Sequence, residues 1–380
     1  MGCKFQEKCG GCCFRDLTIE QYREKKFKHF KDILTLGLGI KEKIFDKPCF
    51  ISDGTRRRAS FTFEYKKNNL YFGFNEQQSN NIANCDYCPM LTDKINNNLG
   101  AIKEFVFKLC QIKTLKKTKG KKFIESHIFK GDILVLDALN GIDIVLEFCD
   151  DLELNHRMEI FDFVNAYDDI IRVSHRKDAF GIVEPIIEKT KPVIKISEYD
   201  VYVSPGMFLQ ASSQGEEALV SAVMKYIGQT RGIVADLFCG IGTFSYPLAK
   251  MTDNKIMAVD VNKGLLDGFK TSINKQMIHN IDIVERNLFK YPLTASELEH
   301  FDAVLFDPPR AGANAIVKEL ANIEKTKKVK KIIAVSCNPH SFVKDAKILI
   351  DAGYNLTNVT LVDQFVYSKH MELVALFTTN

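Results

Sequence analysis

Two residues near the C-terminal end of the chain have the chemistry needed for covalent catalysis. Cys337 follows the predicted strand Ile332–Ser336 and precedes Asn338 and Pro339, which are typical of a helix start. A helix N-terminus lowers the pKa of a nearby thiol, so we expect Cys337 to be a nucleophile rather than a structural cysteine. Glu372 opens the last predicted strand, where a carboxylate can act as a general base.

A glycine turn upstream has the pattern of a nucleoside site. Asp236–Gly242 joins a predicted strand to a helix, and its glycines allow backbone amides to approach a ligand. Asp260 ends the next strand about 20 residues on, where a carboxylate can bind both ribose hydroxyls. The third glycine of a dinucleotide site is absent. The pattern favours an adenosine-type ligand such as S-adenosylmethionine, and a purely structural turn is the alternative.

A third motif indicates which kind of atom accepts the methyl group. Asp307-Pro308-Pro309 is followed by Arg310, where amino-group methyltransferases carry an aromatic residue, so another acceptor atom is favoured. A thiolate that adds to C6 of uracil makes C5 able to attack a methyl group, and a base then removes the C5 proton. Cys337 and Glu372 meet these two requirements.

These residues must be positioned by an α/β domain. After about residue 200, short apolar strands alternate with helices, which predicts a doubly wound sheet with ligands at the carboxyl ends of its strands. Before it, a helix is predicted over Asp16–Leu38 and a β-hairpin over Ala59–Phe74. Further strand patterns in the middle predict an antiparallel sheet with one solvated face.

Length and composition set the wider limits. A chain of 380 residues with 46% hydrophobic and 26% charged residues predicts a globular protein of two or three domains. No apolar run is long enough to span a membrane and no signal sequence is evident, so we expect a cytoplasmic protein.

Basic residues cluster in two places. One cluster is Arg56–Arg58. The other is the lysine-rich stretch Lys103, Lys108, Lys113, Lys116, Lys117, Lys119, Lys121, Lys122 and Lys130. Such runs form either solvated faces or phosphate-binding surfaces.

The combination of motifs resembles the RNA uridine-C5 (5-methyluridine) methyltransferase family. The matching segments are Phe208–Gln210, Asp236–Gly242, Asp307–Arg310, Ser336–Pro339 and His370–Glu372. The resemblance implies a class I S-adenosylmethionine methyltransferase (Rossmann-like) domain, with Cys337 as nucleophile, Glu372 as base and Phe208 near a flipped uracil. It implies that six residues line the S-adenosylmethionine site: Gln210, Phe238, Thr243, Asp260, Asn287 and Asp307.

A cysteine cluster near the N-terminus is similar to that of the iron–sulfur members of this family. Cys3, Cys9, Cys12 and Cys88 suit a [4Fe–4S] cluster, with Cys13 and Cys85 as bystanders. The alternative is zinc, because Cys9-x2-Cys12 and Cys85-x2-Cys88 resemble two knuckles, although they lie further apart than in zinc ribbons.

The resemblance also gives an expected organisation and target. We expect a cysteine-cluster segment with a long helix and hairpin (1–92), a central RNA-binding α+β region (93–199) and the methyltransferase domain (200–380), without an N-terminal RNA-binding barrel. The expected partner is a single-stranded loop uridine of 23S ribosomal RNA, bound by a monomer. The T-loop of transfer RNA is the near alternative, and a non-catalytic RNA-binding iron–sulfur protein is the distant one.

Overall fold

The structure is a computed structural model that describes residues 3–117, 123–251 and 254–379. The chain forms two compact units that interleave along the sequence. The first comprises Met1–Asp16, Asp53–Ile194 and Val203–Ser212, and the second comprises Leu17–Ser52, Lys195–Tyr202 and Ser213–Asn380.

The described helices and strands have the following bounds. The helices are α1 Ile19–Leu38, α2 Asp93–Gln111, α3 Leu154–Ala166, α4 Ser213–Ile227, α5 Ser245–Ala249, α6 Lys263–Lys275, α7 Ala295–Leu298, α8 Asn314–Asn322 and α9 Pro339–Asp351. The strands are β1 Cys49–Phe50, β2 Arg58–Lys66, β3 Asn69–Asn75, β4 Ile82–Asn84, β5 Thr114–Lys117, β6 Phe123–Ser126, β7 Lys130–Ala138, β8 Gly141–Glu147, β9 Ile170–Arg176, β10 Glu184–Glu188, β11 Val193–Ile196, β12 Tyr199–Tyr202, β13 Gly232–Leu237, β14 Asn254–Asp260, β15 Ile281–Glu285, β16 Ala303–Phe306, β17 Lys331–Ser336, β18 Asn355–Asp363 and β19 Glu372–Thr378.

The second unit is built on a mainly parallel sheet, as the alternation of strands and helices predicts. Its described strands follow the order β1-β18-β19-β17-β16-β13-β14-β15. Strands β13 to β17 run parallel, whereas β19 is antiparallel to both of its neighbours. All four residues of β16 are buried, since helices cover both faces of a parallel sheet.

The first unit contains a second, mostly antiparallel sheet of order β10-β9-β8-β7-β2-β3-β4. The predicted hairpin is confirmed as β2–β3, and both residues of its turn, Lys67 and Asn68, have positive φ angles. The expectation of a solvated face is wrong for the centre of the sheet. Strand β8 is buried on both faces and pairs in parallel with β9, and α2 and α3 contribute to this core.

Helix α1 belongs to the second unit, whereas the sequence predicts that it goes with the cysteine-cluster segment (1–92). Thr18 caps its start and Gly39, in the left-handed conformation, ends it. Phe30 and Leu34 pack into the core of the C-terminal sheet. The apolar face of α1 is therefore buried against the C-terminal sheet and not against the cysteine loop.

A buried ion pair also fixes α1 to the end of β18. The Lys26 ammonium lies 2.5 Å from Oδ1 of Asp363, and the Tyr22 hydroxyl donates to Oδ2 of the same carboxylate. Lys26 also donates to the backbone carbonyls of Phe365 and Ser368, at 3.1 and 3.0 Å. These bonds hold the loop that leads from β18 to Glu372.

We expect Lys26→Met to destabilise the protein by about 3–5 kcal/mol, because it leaves the Asp363 carboxylate buried without its cation. Urea unfolding measures the change. Lys28→Met, at an exposed position of the same helix, is the matched control and should change stability by less than about 0.5 kcal/mol. Equal stability of the two variants would contradict a structural role for the ion pair.

Candidate active site

The predicted site residues of the second unit lie along the carboxyl ends of neighbouring parallel strands. In spatial order across the sheet, Cys337 follows β17, Asp307 follows β16, Phe238 follows β13 and Asp260 ends β14. Asn287 comes two residues after β15, the next strand. Strand ends at one edge of an open α/β sheet form its ligand-binding crevice.

The glycine turn after β13 is shaped for close approach of a ligand. Phe238, Gly240 and Gly242 all have positive φ angles, at 61°, 56° and 89°. A Cβ on Gly242 would lie 2.4 Å from the ring of Phe269, so no larger residue fits there. At Gly240 a Cβ would meet nothing within 4 Å, which leaves open space beside the backbone.

Hydrogen bonds fix the carboxylate at the end of β14. Oδ2 of Asp260 accepts the backbone N–H of Gly240 at 3.0 Å, and Oδ1 accepts that of Asn262 at 2.9 Å. Each oxygen keeps a further lone pair, which a ribose hydroxyl can use. Asn287 makes a local turn in which its Oδ1 accepts the N–H groups of Phe289 and Lys290. Thr243, half-buried, lies between the glycine turn and α5.

Gln210 and Phe208 belong to the first unit. Gln210 is buried, and its backbone carbonyl accepts a hydrogen bond from Nε of Arg57 at 3.3 Å. Phe208 is exposed, with the guanidinium carbon of Arg58 stacked 4.3 Å from its ring centroid. Two of the three clustered arginines therefore support the segment that carries Phe208 and Gln210.

Sheet register brings the two proposed reacting residues together. Ser336 of β17 pairs with Leu373 of β19, so the antiparallel register makes Cys337 and Glu372 neighbours across the strand ends. Asn338 caps α9 by accepting the N–H of His340, and Pro339 occupies the first turn, as predicted.

The thiol is not activated in the way that the sequence predicts. Burial, reinforced by the Glu372 and Asp307 carboxyls, raises the pKa of Cys337 to about 11, and the Arg310 guanidinium opposes this only in part. The expectation of a lowered thiol pKa at the helix start is therefore wrong for the protein without ligands. Burial and two nearby acids outweigh the partial charge of the α9 N-terminus.

The two acids beside the thiol also hold their protons more tightly than usual. Burial, followed by the charge of Asp307, raises the pKa of Glu372 to about 8, and burial raises the pKa of Asp307 to about 7. A carboxyl whose pKa lies near neutrality is suited to accept a proton and release it again in each cycle.

Gln364 is a further residue at this site, and our sequence analysis missed it. Its side-chain amide donates to Oε2 of Glu372, which opposes the rise in the Glu372 pKa. Gly215 in α4 leaves room for it, because a Cβ there would lie 2.6 Å from Cβ of Gln364. The sequence offers one signal for Gln364: it directly follows β18, the strand before the one that carries Glu372.

We expect Gln364→Leu to move the pH dependence of catalysis towards higher pH. Loss of the donated hydrogen bond raises the Glu372 pKa further, so the ionised base forms at a higher pH. In the wild type kcat, which includes proton removal by Glu372, should rise through about pH 8. The measurement is kcat from pH 6 to 10 for both proteins, with thermal melting as the folding control. Superimposable pH profiles would remove Gln364 from the mechanism.

The N-terminal cysteines occupy one neighbourhood of the first unit. Burial raises the pKa of Cys12 to about 12, and the charges of Cys88, Cys9 and Cys3 add to this effect. Cys85 also interacts electrostatically with Cys88, Cys9 and Cys3. Within residues 3–117, 123–251 and 254–379, however, no three His, Cys, Asp or Glu side chains are arranged to hold a metal ion.

The lysine-rich stretch is largely neutralised where the structure describes it. Lys103 pairs with Asp86, Lys108 with Glu104 and Lys113 with Glu125, at distances of 2.7 to 3.0 Å. Lys119, Lys121 and Lys122 lie outside the described residues. These ion pairs favour a solvated face over a phosphate-binding surface for this part of the stretch. Among the helices that are described, none is long and apolar enough to cross a membrane.

The fold matches a known class of enzyme structure. The structure of the Pyrococcus abyssi tRNA (uracil-54, C5)-methyltransferase in complex with S-adenosyl-L-homocysteine aligns with 97% of this chain and 86% of that one, with a TM-score of 0.72 and 21% identity. The doubly wound sheet and the residues at its strand ends therefore define a class I methyltransferase fold, as the sequence predicts.

Comparison of sequences identifies the family. Residues 193–379 match the tRNA (uracil-5-)-methyltransferase family. An uncharacterized RNA methyltransferase of Agrobacterium fabrum is 33% identical over 97% of this chain and 81% of its own length. A 23S rRNA (uracil(1939)-C(5))-methyltransferase of Aliivibrio fischeri is 26% identical over 99% of this chain and 81% of its own length. The chain belongs to the RNA uracil-C5 methyltransferase family and is an S-adenosylmethionine-dependent enzyme of that class.

Proposed function

We propose that the enzyme converts a loop uridine of 23S ribosomal RNA to 5-methyluridine. The observation that carries the chemistry is the pairing of β17 with β19, which makes Cys337 and Glu372 neighbours. The Aliivibrio relative, aligned over 99% of this chain, supports ribosomal RNA as the substrate class. We also propose that the enzyme acts as a cytoplasmic monomer.

Six residues are proposed to hold S-adenosylmethionine, which supplies the methyl group: Gln210, Phe238, Thr243, Asp260, Asn287 and Asp307. Two observations fit such a ligand: the open space beside Gly240 and the carboxylate of Asp260 fixed at a strand end. Asp307 has its pKa raised to about 7 by burial, and a nearby positive charge would favour its ionised form. The crevice is therefore suited to a cationic nucleoside.

The proposed reaction begins at Cys337. Its thiolate forms a bond to C6 of the uracil, and the electron pair of the C5–C6 double bond moves into an enolate, so C5 becomes nucleophilic. C5 takes the methyl group from the sulfonium, which leaves as the neutral thioether. Because the thiol is a weak acid in the free protein, we expect the bound substrate and the sulfonium charge to promote its ionisation.

Glu372 completes the cycle. Its carboxylate accepts the proton from C5, the C5–C6 double bond re-forms, and the Cys337 thiolate leaves C6. Gln364, which donates to Oε2 of Glu372, orients the carboxylate for this step. Aromatic uracil and free thiolate are restored together, so no oxidant or reductant is needed.

The target is tested by methylation of purified transcripts. Incubation with methyl-labelled S-adenosylmethionine should label uridine C5 in 23S ribosomal RNA and leave transfer RNA unlabelled. Mass spectrometric mapping of nucleosides from a deletion strain should then show loss of 5-methyluridine from 23S ribosomal RNA alone. Labelling of the transfer RNA T-loop instead would support the alternative target. Absence of label from both RNAs after incubation with the enzyme would refute the proposed function.

We also propose that Cys3, Cys9, Cys12 and Cys88 bind a structural [4Fe–4S] cluster. Thiolates are the ligands such clusters require, and the mutual electrostatic effects of these four residues support their proximity. Gly10 and Gly11 lie between two of the cysteines. A Cβ on Gly10 would lie 3.1 Å from the carbonyl of Asn75, so a side chain there would be crowded by the backbone of the neighbouring strand.

Iron, sulfide and zinc analysis of anaerobically purified protein tests the cluster. We expect iron and sulfide in equal amounts with a brown colour, and we expect Cys88→Ser to lose both. Cys13→Ser is the matched control and should retain them. Colourless protein that contains zinc, or equal iron loss in both variants, would refute the assignment.

A further inference from the structure

We propose that a loop of the first unit, Lys177–Val183, is a base-stacking element for single-stranded RNA. This inference rests on the proposed function for the identity of the partner, but its loop contains none of the residues assigned to the catalytic site. Its central residue is Phe180, supported by Ile182 in the same loop.

The loop presents two apolar side chains to solvent. Phe180 is 100% exposed and Ile182 is 94% exposed. Isolated exposed apolar residues are common on proteins, but two within three positions of one loop, one of them aromatic, form a surface that is typical of binding.

The loop is braced, so the exposure of Phe180 is a feature of its folded conformation. Oδ1 of Asp178 accepts the N–H of Phe180 at 2.9 Å, and the Asp178 carbonyl accepts that of Gly181 at 3.1 Å. Nη1 of Arg176 donates to the carbonyl of Ala179 at 3.3 Å. A preorganised loop loses little conformational entropy when it binds.

The same unit places a second exposed aromatic residue near this loop. A Cβ on Gly206 would lie 2.8 Å from Cγ2 of Val183, so the end of the loop contacts the segment that carries Phe208. Phe208 is 64% exposed and stacks with the Arg58 guanidinium. Phe180, Ile182 and Phe208 are together called the aromatic patch below.

Single-stranded RNA is the partner that fits the aromatic patch. Aromatic rings stack on nucleobases, while arginine offers both a planar stacking surface and a positive charge for phosphate. Arg58 supplies that group beside Phe208. The carboxylate of Asp178, the acidic residue of the loop, is engaged in the turn. We infer that Phe180 stacks on a nucleotide of the bound RNA.

The sequence provides a direct reporter for this contact. The chain contains no tryptophan, so Phe180→Trp introduces a single indole at the tip of the loop. We expect saturating oligouridylate of about 15 nucleotides to quench its fluorescence, because a stacked base quenches an indole. Phe129→Trp is the matched control, since Phe129 is also exposed and its carbonyl accepts the N–H of Tyr65, at the opposite end of β2 from Arg58. Its fluorescence should stay unchanged.

Affinity gives the second measurement. We expect Phe180→Ala to weaken binding of the same oligouridylate about 5- to 100-fold, with an unchanged thermal midpoint and unchanged S-adenosylmethionine binding. Phe129→Ala should bind as the wild type does. Equal quenching of both tryptophan reporters, or wild-type affinity of Phe180→Ala, would overturn the proposal. So would quenching that depends on protein concentration without RNA, which would indicate contact with a second copy.

The two proposals can fail separately. If the protein methylates 23S ribosomal RNA but Phe180→Ala retains full affinity and activity, the aromatic patch is refuted and the proposed function stands. If oligouridylate quenches the Phe180→Trp reporter selectively but no RNA is methylated, the proposed function is refuted and the RNA-stacking role is supported.

Discussion

Replacement of Cys337 by alanine should abolish methyl transfer while the protein still binds S-adenosylmethionine. Without the thiolate, C6 of uracil has no nucleophile and C5 stays too electron-poor to take the methyl group. We expect the rate to fall by more than about 10⁴-fold, which is of the order seen when a covalent nucleophile is lost. Methylation of 23S transcripts measures the rate, and equilibrium dialysis measures ligand binding.

Cys149→Ala is the matched control for this experiment. Cys149 is exposed and belongs to the first unit, so its loss should leave methylation unchanged. Because the Cys337 pKa is raised to about 11, burial of a neutral methyl group in its place should not destabilise the fold strongly. Methyl transfer by Cys337→Ala within tenfold of the wild-type rate would show that another group activates the ring.

Glu372→Gln should trap the enzyme on its substrate. Addition of the Cys337 thiolate and methyl transfer do not require the base, but release does, since the C5 proton must leave before the sulfur can. We expect turnover to fall by about 10²- to 10⁴-fold and a covalent protein–RNA adduct to accumulate. Denaturing gel electrophoresis with labelled RNA detects the adduct.

Glu24→Gln, an isosteric change at an exposed position of α1, is the control and should show neither effect. If Glu372→Gln turned over normally with no adduct, Glu372 would not be the base. Low turnover without an adduct would place Glu372 at or before thiolate addition, which also contradicts its assigned role.

The Glu372→Gln variant also tests the electrostatics of the site, through the pH dependence of the free energy of unfolding. Glu372 has a pKa of about 8 in the folded protein and 4.5 as its ordinary value. The folded state therefore binds more protons between these values, and its stability falls as the pH rises through that window. We expect Glu372→Gln to unfold at higher urea concentration than the wild type at pH 8–9, with a difference that shrinks towards pH 4.5.

The strand-end residues could be predicted because their positions follow from chain order. Once strands and helices alternate, residues such as Asp260, Asp307 and Cys337 must lie at one edge of the sheet. The predicted strands Ile281–Glu285 and Ala303–Phe306 are confirmed residue for residue. Buried parallel strands with clear turn signals give the strongest local patterns.

Features that depend on distant parts of the chain could not be predicted in this way. Lys26 appears as one more surface lysine of α1, yet it pairs with Asp363, which lies 337 residues away. The raised pKa of Cys337 depends on Glu372 and Asp307, brought close by sheet pairing and by burial. Only a folded structure fixes these environments.

Helix α2 is not predicted as a packed element, for a different reason. Its C-terminal part carries the first lysines of the lysine-rich stretch, which indicate a charged face, whereas α2 also has an apolar face that includes Ile95, Leu99 and Ile102. That face follows the helical period and was available in the sequence. Charge and amphipathicity are both properties of such a segment, and its buried face decides the fold.

The central claim is that the sulfur of Cys337 bonds to C6 of the target uracil. RNA carrying 5-fluorouridine tests it directly, because fluorine at C5 cannot leave as a proton does, so the adduct persists. Mass spectrometry after trypsin digestion should locate the methylated fluoronucleotide on the peptide of residues 332–344, in which Cys337 is the one cysteine. An adduct on any other peptide, or its absence with active enzyme, would contradict the account.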